Sequence, residues 1–344
     1  MLAAVYTGIN KIELKKIDVP EINEEEALLK VKACSICGTD RKIYKKGKKN
    51  ISDQQILGHE ISGKLVKVGK KVKYYKEGMR VNIAPNLGCG YCSVCREGLE
   101  QLCPDYDAFG ITIPGGFAEY LKIPASALRR GNICVLPKSI TYEEGALVEP
   151  LSCCFNAYQS LNIAQGESML IFGAGVMGNL HLLLNKKLGT GKIIMVDIEP
   201  ERLEISKKFN ADYAFLNDKT LKNKILDITN GRRIKNIIVA APVVEIQKQA
   251  LDMLAVGGKI NFFAGLADDK KIPISSNNLH YKQQFLTGTT GSTVKQFRQV
   301  NDILANTLLN IKQMITKTIS LSELPEVMAD KSIFKNNMKI QVRY

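Results

Sequence analysis

Short apolar runs alternate with helix-like stretches along the second half of the chain. The runs at residues 168–172, 192–196, 237–240 and 259–263 have the length and the β-branched content of buried strands. The stretches between and after them suit helices, at residues 179–188, 201–209, 221–228 and 244–254. Such alternation predicts a parallel sheet that is covered by helices on both faces.

The first part of the chain has a different pattern, in which short β-branched runs are separated by turns. Residues 27–32, 62–69 and 80–83 are the clearest strands, and a Gly-Gly turn at 115–116 leads into a strand that continues to Ile123. This pattern predicts a compact, mostly β domain. Helices are expected after Pro137, ending near Val148, and at residues 297–309.

A glycine-rich turn directly follows the first strand of the second half. Its sequence is Gly173-Ala174-Gly175-Val176-Met177-Gly178. A G-x-G-x-x-G turn between a strand and a helix predicts a dinucleotide-binding loop. The first glycine permits the tight turn, the second lets the backbone approach a pyrophosphate, and the third lets helix and strand pack closely. The predicted coenzyme contacts are Gly173, Gly175, Val176, Met177 and Gly178.

The strand after this helix ends at an acidic residue, Asp197. A carboxylate at this position can accept hydrogen bonds from the adenosine ribose and would repel a 2′-phosphate, which favours NAD over NADP. Arg202 follows five residues later and is a second candidate coenzyme contact, although a place in a helical turn also suits a packing role.

Four cysteines give the strongest local signal in the chain. Cys89, Cys92, Cys95 and Cys103 have the spacing C-x2-C-x2-C-x7-C. Four thiolates on one short loop can close a tetrahedral shell around a structural zinc ion. Redox-active or free thiols and an iron–sulfur cluster also fit four cysteines on one loop, and the spacing alone does not separate the two kinds of metal site.

A second ligand pattern combines a cysteine, a histidine and carboxylates. Cys37-Gly38-Thr39-Asp40 is followed by Gly58-His59-Glu60, and Glu149-Pro150 comes after a run of small residues. Thiolate, imidazole and carboxylate are the ligands of a catalytic zinc that keeps one position open. Each residue alone has a simpler interpretation, as a buried residue or a helix-end charge. Their combination in this order favours a metal site.

Length and composition set the broad class of the protein. The 344 residues suit about two domains, and a hydrophobic content of 45% is enough for sizeable cores. No apolar run reaches the roughly 18 residues of a membrane span, and the start lacks the features of a signal peptide. We therefore expect no membrane partner and a cytoplasmic location. Most of the nine cysteines fall in ligand patterns, which fits a reducing compartment.

The charge balance suggests a basic surface rather than a nucleic-acid partner. There are 48 Lys and Arg residues against 34 Asp and Glu residues, a formal net charge of +14. Lysine is spread along the whole chain, and no aromatic-and-basic recognition module is present. We expect no nucleic-acid partner. Four cysteines are left over and expected to be buried, with Cys34 as a candidate additional thiolate beside Cys37: Cys34, Cys134, Cys153 and Cys154.

Together, these motifs resemble those of the zinc-containing medium-chain dehydrogenase/reductase family, which includes alcohol, sorbitol and threonine dehydrogenases. The family pattern runs Cys-Gly-Ser/Thr-Asp, then Gly-His-Glu, then Glu-Pro in its polyol branch, and all three occur here, at Cys37, Gly58 and Glu149. The resemblance covers nearly the whole chain. It implies an α/β fold: a GroES-like, mostly β catalytic domain at residues 1–149 with a zinc lobe at about 86–104, a Rossmann domain with a doubly wound parallel sheet at 150–287, and a return to the first domain at 288–344.

The resemblance also implies the cofactors, which are two zinc ions per chain and NAD. Cys37 and His59 would be permanent ligands of the catalytic zinc. Glu60 and Glu149 would be a direct ligand and a second, exchangeable one, in an order that the resemblance leaves open. Thr39 would be the first step of a proton relay. Family members often have histidine at the position of Lys42, so the later relay steps stay open.

The implied reaction moves a hydride between a secondary alcohol and NAD. Glu149-Pro150-Leu151 resembles the polyol branch, which includes sorbitol and L-iditol dehydrogenases. The regions around Tyr106-Asp107 and Gly115-Gly116 also resemble sugar-alcohol-phosphate dehydrogenases, such as the galactitol-1-phosphate type. An L-threonine 3-dehydrogenase is a further candidate, and a non-enzymatic zinc- and nucleotide-binding protein is a candidate of a different class. We expect a homo-oligomer, either a dimer or a tetramer.

A basic stretch bears on the substrate. Residues 41–49 lie between Cys37 and His59 and include six cationic residues. A solvated loop is the simpler interpretation. Positive charge at a cleft would instead concentrate anionic substrates, so the expected small-molecule partner is a polyol or a sugar phosphate.

Overall fold

The chain forms two compact units. The computed structural model describes residues 1–48, 51, 53–267, 269–307 and 309–344. The first unit combines Met1–Ser152 with Gly291–Tyr344, and the second is Cys153–Thr290. The domain boundaries inferred from the sequence, at 149/150 and 287/288, stay a proposal. No helix of the described residues has both the length and the apolar character that a membrane crossing needs.

The described residues form 18 strands. In chain order they are β1 (Leu2–Gly8), β2 (Lys11–Lys16), β3 (Ala27–Ser35), β4 (Gln55–Ile56), β5 (Glu60–Val68), β6 (Arg80–Ile83), β7 (Asn86–Leu87), β8 (Asp107–Ala108), β9 (Tyr120–Ile123), β10 (Ile133–Val135), β11 (Met169–Phe172), β12 (Ile193–Asp197), β13 (Tyr213–Leu216), β14 (Ile234–Val239), β15 (Leu254–Phe262), β16 (Phe285–Gly288), β17 (Ile315–Ser320) and β18 (Lys339–Arg343).

The helices of the described residues are mostly short. They are α1 (Gly38–Lys46), α2 (Ser93–Arg96), α3 (Ala125–Arg130), α4 (Tyr142–Ala146), α5 (Val148–Leu161), α6 (Val176–Lys187), α7 (Pro200–Lys208), α8 (Leu221–Ile228), α9 (Val244–Met253), α10 (Ser276–Lys282), α11 (Val294–Asn306), α12 (Leu324–Ala329) and α13 (Lys331–Asn336), with 3-10 segments at Glu100–Leu102, Ile311–Met314 and Leu321–Glu323.

A seven-stranded sheet organises the first unit. Its path is β10-β6-β5-β3-β18-β17, and β9 also pairs with β3. Strand β3 is antiparallel to β5, β9 and β18. Most of its residues are buried, including Leu29 and Val31 in the main core of the unit. The central strand therefore ties the amino-terminal segment to the carboxyl-terminal one.

The second unit is a six-stranded parallel sheet with the order β13-β12-β11-β14-β15-β16. Numbered within the unit, this order is 3-2-1-4-5-6, which is that of the doubly wound dinucleotide-binding fold. Strands β11 and β12 are buried along their whole length, as expected of strands covered on both faces. The expected α/β fold class, with a mostly β unit and a Rossmann unit, is confirmed.

One local prediction was wrong. The basic stretch after Cys37 is not a loop, because residues up to Lys46 belong to helix α1, which buries Ile43 and Tyr44. Lys49, at the end of that stretch, lies outside the described residues. The helix expected to end near Val148 is α4, which ends at Ala146, and it is followed by a helix that was not predicted, α5.

Candidate metal centres and coenzyme site

Three predicted zinc ligands meet at one end of strand β3. Cys37 is the residue before helix α1, and His59 and Glu60 lie where β5 begins. Ser35 pairs with Glu60 across the sheet, which sets the distance between the two segments. One ligand atom from each of Cys37, His59 and Glu60 lies within 4.8 Å of the others. The spacing and the mixed S, N and O donors suit a single zinc ion.

The backbone conformation of Gly58 sets the direction in which the chain enters His59. Its φ of +90° lies in the region that side chains rarely adopt, and a Cβ at this position would lie 2.8 Å from Sγ of Cys34. Cys34 itself is fully buried in β3 and is not part of the group of ligand atoms. It packs there as a small core residue, as expected of the cysteines outside the ligand patterns.

Asp40 holds the two ligand segments together, a role that the sequence alone did not reveal. Its Oδ2 accepts a hydrogen bond of 2.8 Å from the backbone N–H of Cys37, and its Oδ1 accepts one of 3.2 Å from that of Gly58. Oδ1 also lies 3.4 Å from Nδ1 of His59. The side chain is fully buried. A buried carboxylate behind a metal-binding histidine orients the ring and raises its basicity.

The surroundings of His59 stabilise the charged form of its ring. Burial opposes the charged form of His59, but the nearby charges of Asp40 and Cys37 outweigh it and raise the pKa of His59 well above its usual value. The metal-free site therefore favours a protonated imidazole. Zinc must displace that proton, so metal affinity should fall as the pH is lowered.

A buried lysine faces the carboxylate of the same site. Nζ of Lys339 lies 2.5 Å from Oε1 of Glu60, and both side chains are almost completely buried. Burial would lower the pKa of Lys339, but Glu60, then Cys37 and more weakly Glu149, raise it above its usual value. Oε2 of Glu60 has no hydrogen-bond partner among the described residues. One carboxylate oxygen is thus held by the ammonium, and the other suits a metal ion.

Strand register explains why Lys339 is there. Strand β18 runs antiparallel to β3, and Gln341 pairs with Ser35. Lys339, two residues earlier, therefore lies beyond the end of β3, next to the Cys37 segment. A role for Lys339 at this site could not be predicted from the sequence, because lysine is common throughout the chain. The sequence has no local signal for this role, because the strand Lys339–Arg343 alternates polar and apolar residues and a lysine at its start is ordinary.

Two other predicted residues lie near the site without completing it. Glu149 is buried in the first turn of α5, but the compact group of ligand atoms found among the described residues does not include it. Thr39 is half-buried in the first turn of α1, two residues after Cys37. The ligand role of Glu149 and the relay role of Thr39 stay predictions.

The four-cysteine lobe forms a second compact donor group. The Sγ atoms of Cys89, Cys92, Cys95 and Cys103 lie within 4.8 Å of one another. Backbone N–H groups point at three of them, from Cys89 to Cys103 (3.2 Å), from Cys92 to Cys89 and from Cys95 to Cys92 (3.4 Å each). The backbone N–H of Tyr91 lowers the pKa of Cys89 to about 6. These donors stabilise thiolates, which are the form that binds zinc.

The glycine loop of the second unit has the geometry of a phosphate site. Gly173 has a φ of +100°, and a Cβ on Gly178 would collide with the carbonyl oxygen of Gly173. Gly175 caps the 12-residue helix α6 and has open space around the position of a Cβ. The loop therefore presents the start of α6, with Val176 and Met177, to a ligand.

Asp197 ends strand β12 beside this loop. Its Oδ2 accepts a hydrogen bond of 2.6 Å from the backbone N–H of Ala174, and its Oδ1 one of 3.0 Å from that of Glu199. Nε of Arg202 lies 3.2 Å from a carboxylate oxygen of Glu199. The charge of Arg202 is thus already paired with an acid. Such an arrangement weakens the case for Arg202 as a phosphate ligand.

The two remaining histidines lie outside the metal centres, as expected. His181 is fully buried in α6, with its ring edge-on to Phe263 at 4.6 Å between centroids, whereas His280 is exposed beside Tyr281.

Comparison with known proteins identifies the family. Residues 23–132 match the alcohol dehydrogenase GroES-like domain, and residues 176–306 match the zinc-binding dehydrogenase domain. The chain is 31% identical to a sorbitol dehydrogenase of Bacillus subtilis, over 99% of this chain and 97% of the relative. It is 33% identical to an L-threonine 3-dehydrogenase of Pyrococcus horikoshii (88% and 87%), and 29% identical to a D-arabitol-phosphate dehydrogenase of Enterococcus avium (97% and 94%).

Solved structures agree with these matches. A protein of Sinorhizobium meliloti described as a zinc-binding dehydrogenase, solved with NADP bound, superposes with a TM-score of 0.91 at 27% identity, over 100% of this chain and 99% of that one. The near-complete coverage includes both units and both ligand groups. The chain therefore belongs to the zinc-dependent medium-chain alcohol and polyol dehydrogenase family.

Proposed function

We propose that the protein oxidises a secondary alcohol of a polyol, of the sorbitol or L-iditol type, to a ketose with NAD as the hydride acceptor. The observation that carries this proposal is the Cys37–His59–Glu60 group, in which His59 and Glu60 are buried and one oxygen of the Glu60 carboxylate has no hydrogen-bond partner among the described residues. The chain is 31% identical to a sorbitol dehydrogenase over 99% of its length, which supports a polyol as the substrate class.

Each residue of the site has a separate role in the proposed reaction. When bound, zinc would lower the pKa of the substrate hydroxyl, and the nicotinamide would accept the hydride. Cys37, His59 and Glu60 would hold the metal, with Glu149 as a further candidate ligand. Asp40 keeps the first two ligand segments in place through backbone hydrogen bonds. Thr39 is the candidate to take the hydroxyl proton.

Lys339 balances the charge of Asp40 at the site. The Cys37 thiolate and the Glu60 carboxylate would offset a divalent ion, and the buried carboxylate of Asp40 adds a further negative charge. Negative charge near the substrate oxygen would disfavour its deprotonated form. The buried ammonium of Lys339, next to Glu60, would cancel that effect.

The coenzyme preference proposed is NAD over NADP. Asp197 lies beside the glycine loop, and its carboxylate would repel the 2′-phosphate of a coenzyme bound at that loop. The charge of Arg202, the neighbouring cation, is paired with Glu199. The test compares kcat/KM with the two coenzymes in the wild type and in Asp197→Ser, which should narrow the preference. Equal efficiencies in the wild type would contradict this part of the proposal.

The reaction is tested with a panel of alcohols. Purified protein is incubated with NAD and sorbitol, L-iditol, galactitol or L-threonine, and NADH absorbance is followed. A polyol should be oxidised most efficiently, and His59→Ala should have no turnover while its circular dichroism is unchanged. A preference for L-threonine would show that the substrate is an amino alcohol and not a polyol. Turnover by His59→Ala would show that the reaction does not need the metal site.

A phosphorylated polyol is the second candidate substrate. Helix α1 starts at the metal site and carries a cationic face, with Lys42 and Lys46 exposed one turn apart. Arg41 is less accessible to a ligand, because its guanidinium stacks on the ring of Phe334 at 3.7 Å. A relative at 29% identity is a D-arabitol-phosphate dehydrogenase, which supports the same class.

The discriminating measurement compares sorbitol with sorbitol 6-phosphate at low and moderate salt. If α1 recognises phosphate, the ester has the higher kcat/KM, and its advantage falls with salt and in Lys42→Gln/Lys46→Gln. Lys70→Gln/Lys73→Gln, on exposed lysines elsewhere in the same unit, is the charge-matched control. An ester with no advantage at low salt leaves the free polyol as the substrate.

A further inference from the structure

A cleft of about 820 Å³ lies in the second unit, away from the coenzyme loop. It is lined by residues that precede or open four neighbouring parallel strands, such as Ser168 before β11 and Leu254 in β15. The glycine loop from Gly173 to Gly178 follows the opposite, carboxyl end of β11. Dinucleotides bind at the carboxyl ends of such sheets. The cleft is therefore a separate feature from the predicted coenzyme site.

The lining of this cleft is strongly cationic. Its five charged residues are all basic: Lys192, Arg232, Arg233, Lys235 and Lys282. None of them forms an ion pair with a carboxylate among the described residues, and no acidic residue contributes to the lining. Like charges around one cleft repel each other, so an anion placed between them would be stabilised.

The acidic residues nearby are already engaged. Oε2 of Glu167 accepts hydrogen bonds from the side chain of Asn236 and the backbone of Ala164. Asp212 is paired with Lys186 at 2.7 Å and accepts a bond from the backbone of Ile193. Glu167 nevertheless keeps its negative charge and lies close enough to Lys235 to interact with it. The other four cations of the lining form no ion pair with a carboxylate among the described residues, so the cleft keeps a net positive charge.

Backbone conformation brings the two arginines to the cleft. Asn230, Gly231 and Arg233 have φ values of +50°, +75° and +63°. A left-handed conformation is unfavourable for a residue with a Cβ, such as Arg233. The strained turn lies between α8 and β14 and presents adjacent guanidinium groups to one cavity. Guanidinium groups are well suited to bind phosphate oxygens in pairs.

The rest of the lining limits the size and chemistry of the ligand. Ile194, Ile228 and Leu254 form an apolar part of the wall. The volume is that of a pocket for one small molecule. No aromatic side chain is among the described residues that line it, so it lacks the stacking platforms with which proteins bind single-stranded nucleic acids.

We propose that this cleft is a binding site for a small metabolite that carries two or more phosphate groups. Its phosphates would be bound by Arg232, Arg233 and Lys282, and its carbon skeleton would rest on the apolar wall. The site lies outside the coenzyme loop and the metal centres. Occupancy would not require the dehydrogenase reaction, so the proposal does not depend on the proposed function.

The test uses 2,3-bisphosphoglycerate, which has two phosphates and no free alcohol, in isothermal titration calorimetry at low salt. Binding should be 1:1 per chain, unchanged by saturating NAD, and weaker for 3-phosphoglycerate. Arg232→Gln/Arg233→Gln/Lys282→Gln should weaken it roughly tenfold or more. Lys219→Gln/Lys222→Gln/Lys248→Gln removes the same charge from exposed positions of the same unit and should bind as the wild type.

Several results would overturn the proposal. Equal losses in both triple variants would assign the binding to net charge, and competition by NAD would assign it to the coenzyme loop. Absence of binding, or binding of a uridine oligonucleotide but not the bisphosphate, would exclude a small-metabolite site. Chemical denaturation of each variant separates lost binding from lost folding, since removal of repelling charges should not lower the stability of the ligand-free protein.

Discussion

At the scale of single residues, the pair formed by Lys339 and Glu60 is the most consequential feature that the sequence did not reveal. The ligands Cys37, His59 and Glu60 could be predicted because their residue types and local motifs carry the chemistry. Lys339 could not, because nothing local distinguishes it from the other lysines. Its role arises only from strand pairing between residues 279 positions apart.

Replacing Lys339 by methionine tests this pair. The change keeps most of the length of the side chain, which becomes one atom shorter and uncharged, and it leaves the carboxylate of Glu60 buried and without its cation. Breaking a buried ion pair on one side costs about 3–5 kcal/mol. We expect a loss of that order in the free energy of unfolding of metal-free protein, measured in urea. Lys339→Arg keeps the charge and should retain most of the stability. A Met variant as stable as the wild type would contradict the role.

His181 makes a prediction about acid stability. Burial lowers the pKa of His181 to about 3, and its two ring nitrogens have no hydrogen-bond partner among the described residues. An unfolded histidine has a pKa of about 6.5. Between these two values the unfolded chain binds a proton that the folded one does not, so stability falls as pH falls, by about 1.4 kcal/mol per unit.

His181→Leu should remove this contribution. When the pH is lowered from 7 to 5, the free energy of unfolding of the wild type should fall by about 2 kcal/mol more than that of the variant. Urea titrations of both proteins at both pH values measure this difference. The contributions of the other titrating groups are shared by the two proteins and therefore cancel. His280→Gln, at an exposed position, is the matched control and should not change the pH dependence. A variant with the pH dependence of the wild type would show that the buried ring is not the cause.

At the scale of elements, the zinc lobe was the most predictable and helix α1 the least. The lobe depends on local spacing, which the sequence displays directly. Helix α1 begins at Gly38, directly after Cys37, whose backbone N–H donates a hydrogen bond to Asp40. Its buried apolar residues are Ile43 and Tyr44, among many cations. Its charge run resembled a solvated loop. Tertiary burial of these two residues decided the conformation.

Cys89→Ser tests the lobe as an element. The variant should contain one zinc ion fewer per chain and unfold at lower urea, because a structural zinc contributes folding free energy directly. Metal analysis by mass spectrometry gives the count. Cys134→Ser, at a buried thiol outside the ligand group, should keep the full zinc content. Unchanged zinc in Cys89→Ser would exclude the four-cysteine site.

At the scale of the whole molecule, alternation predicted the parallel sheet of the second unit but not the carboxyl-terminal strands of the first. Strands β17 and β18 are short, and β18 pairs with β3 from the other end of the chain. Pairing at such a distance leaves no periodic trace that points to its partner. The return of the chain to the first domain could therefore be predicted only through the family resemblance.

The net charge makes a prediction at this scale. An excess of +14 destabilises the compact state through self-repulsion, and salt screens it. Raising KCl from about 0.02 to 0.3 M shortens the Debye length from roughly 20 to 6 Å. The urea midpoint at neutral pH should rise. Near pH 9.2, the isoelectric point, the same change should have less effect. A midpoint that falls with salt at neutral pH would show that attractive ion pairs dominate.

The pairing of Glu60 with Lys339 also has a consequence for biosynthesis. A ribosome releases Cys37, His59 and Glu60 early, whereas Lys339 follows 279 residues after Glu60. At 5–20 residues per second this interval is roughly 15–55 s. During that time the ligand side chains of the site have been synthesised, but the ammonium that neutralises Glu60 has not. The charge balance of the site is therefore completed only after β18 has been synthesised and pairs with β3.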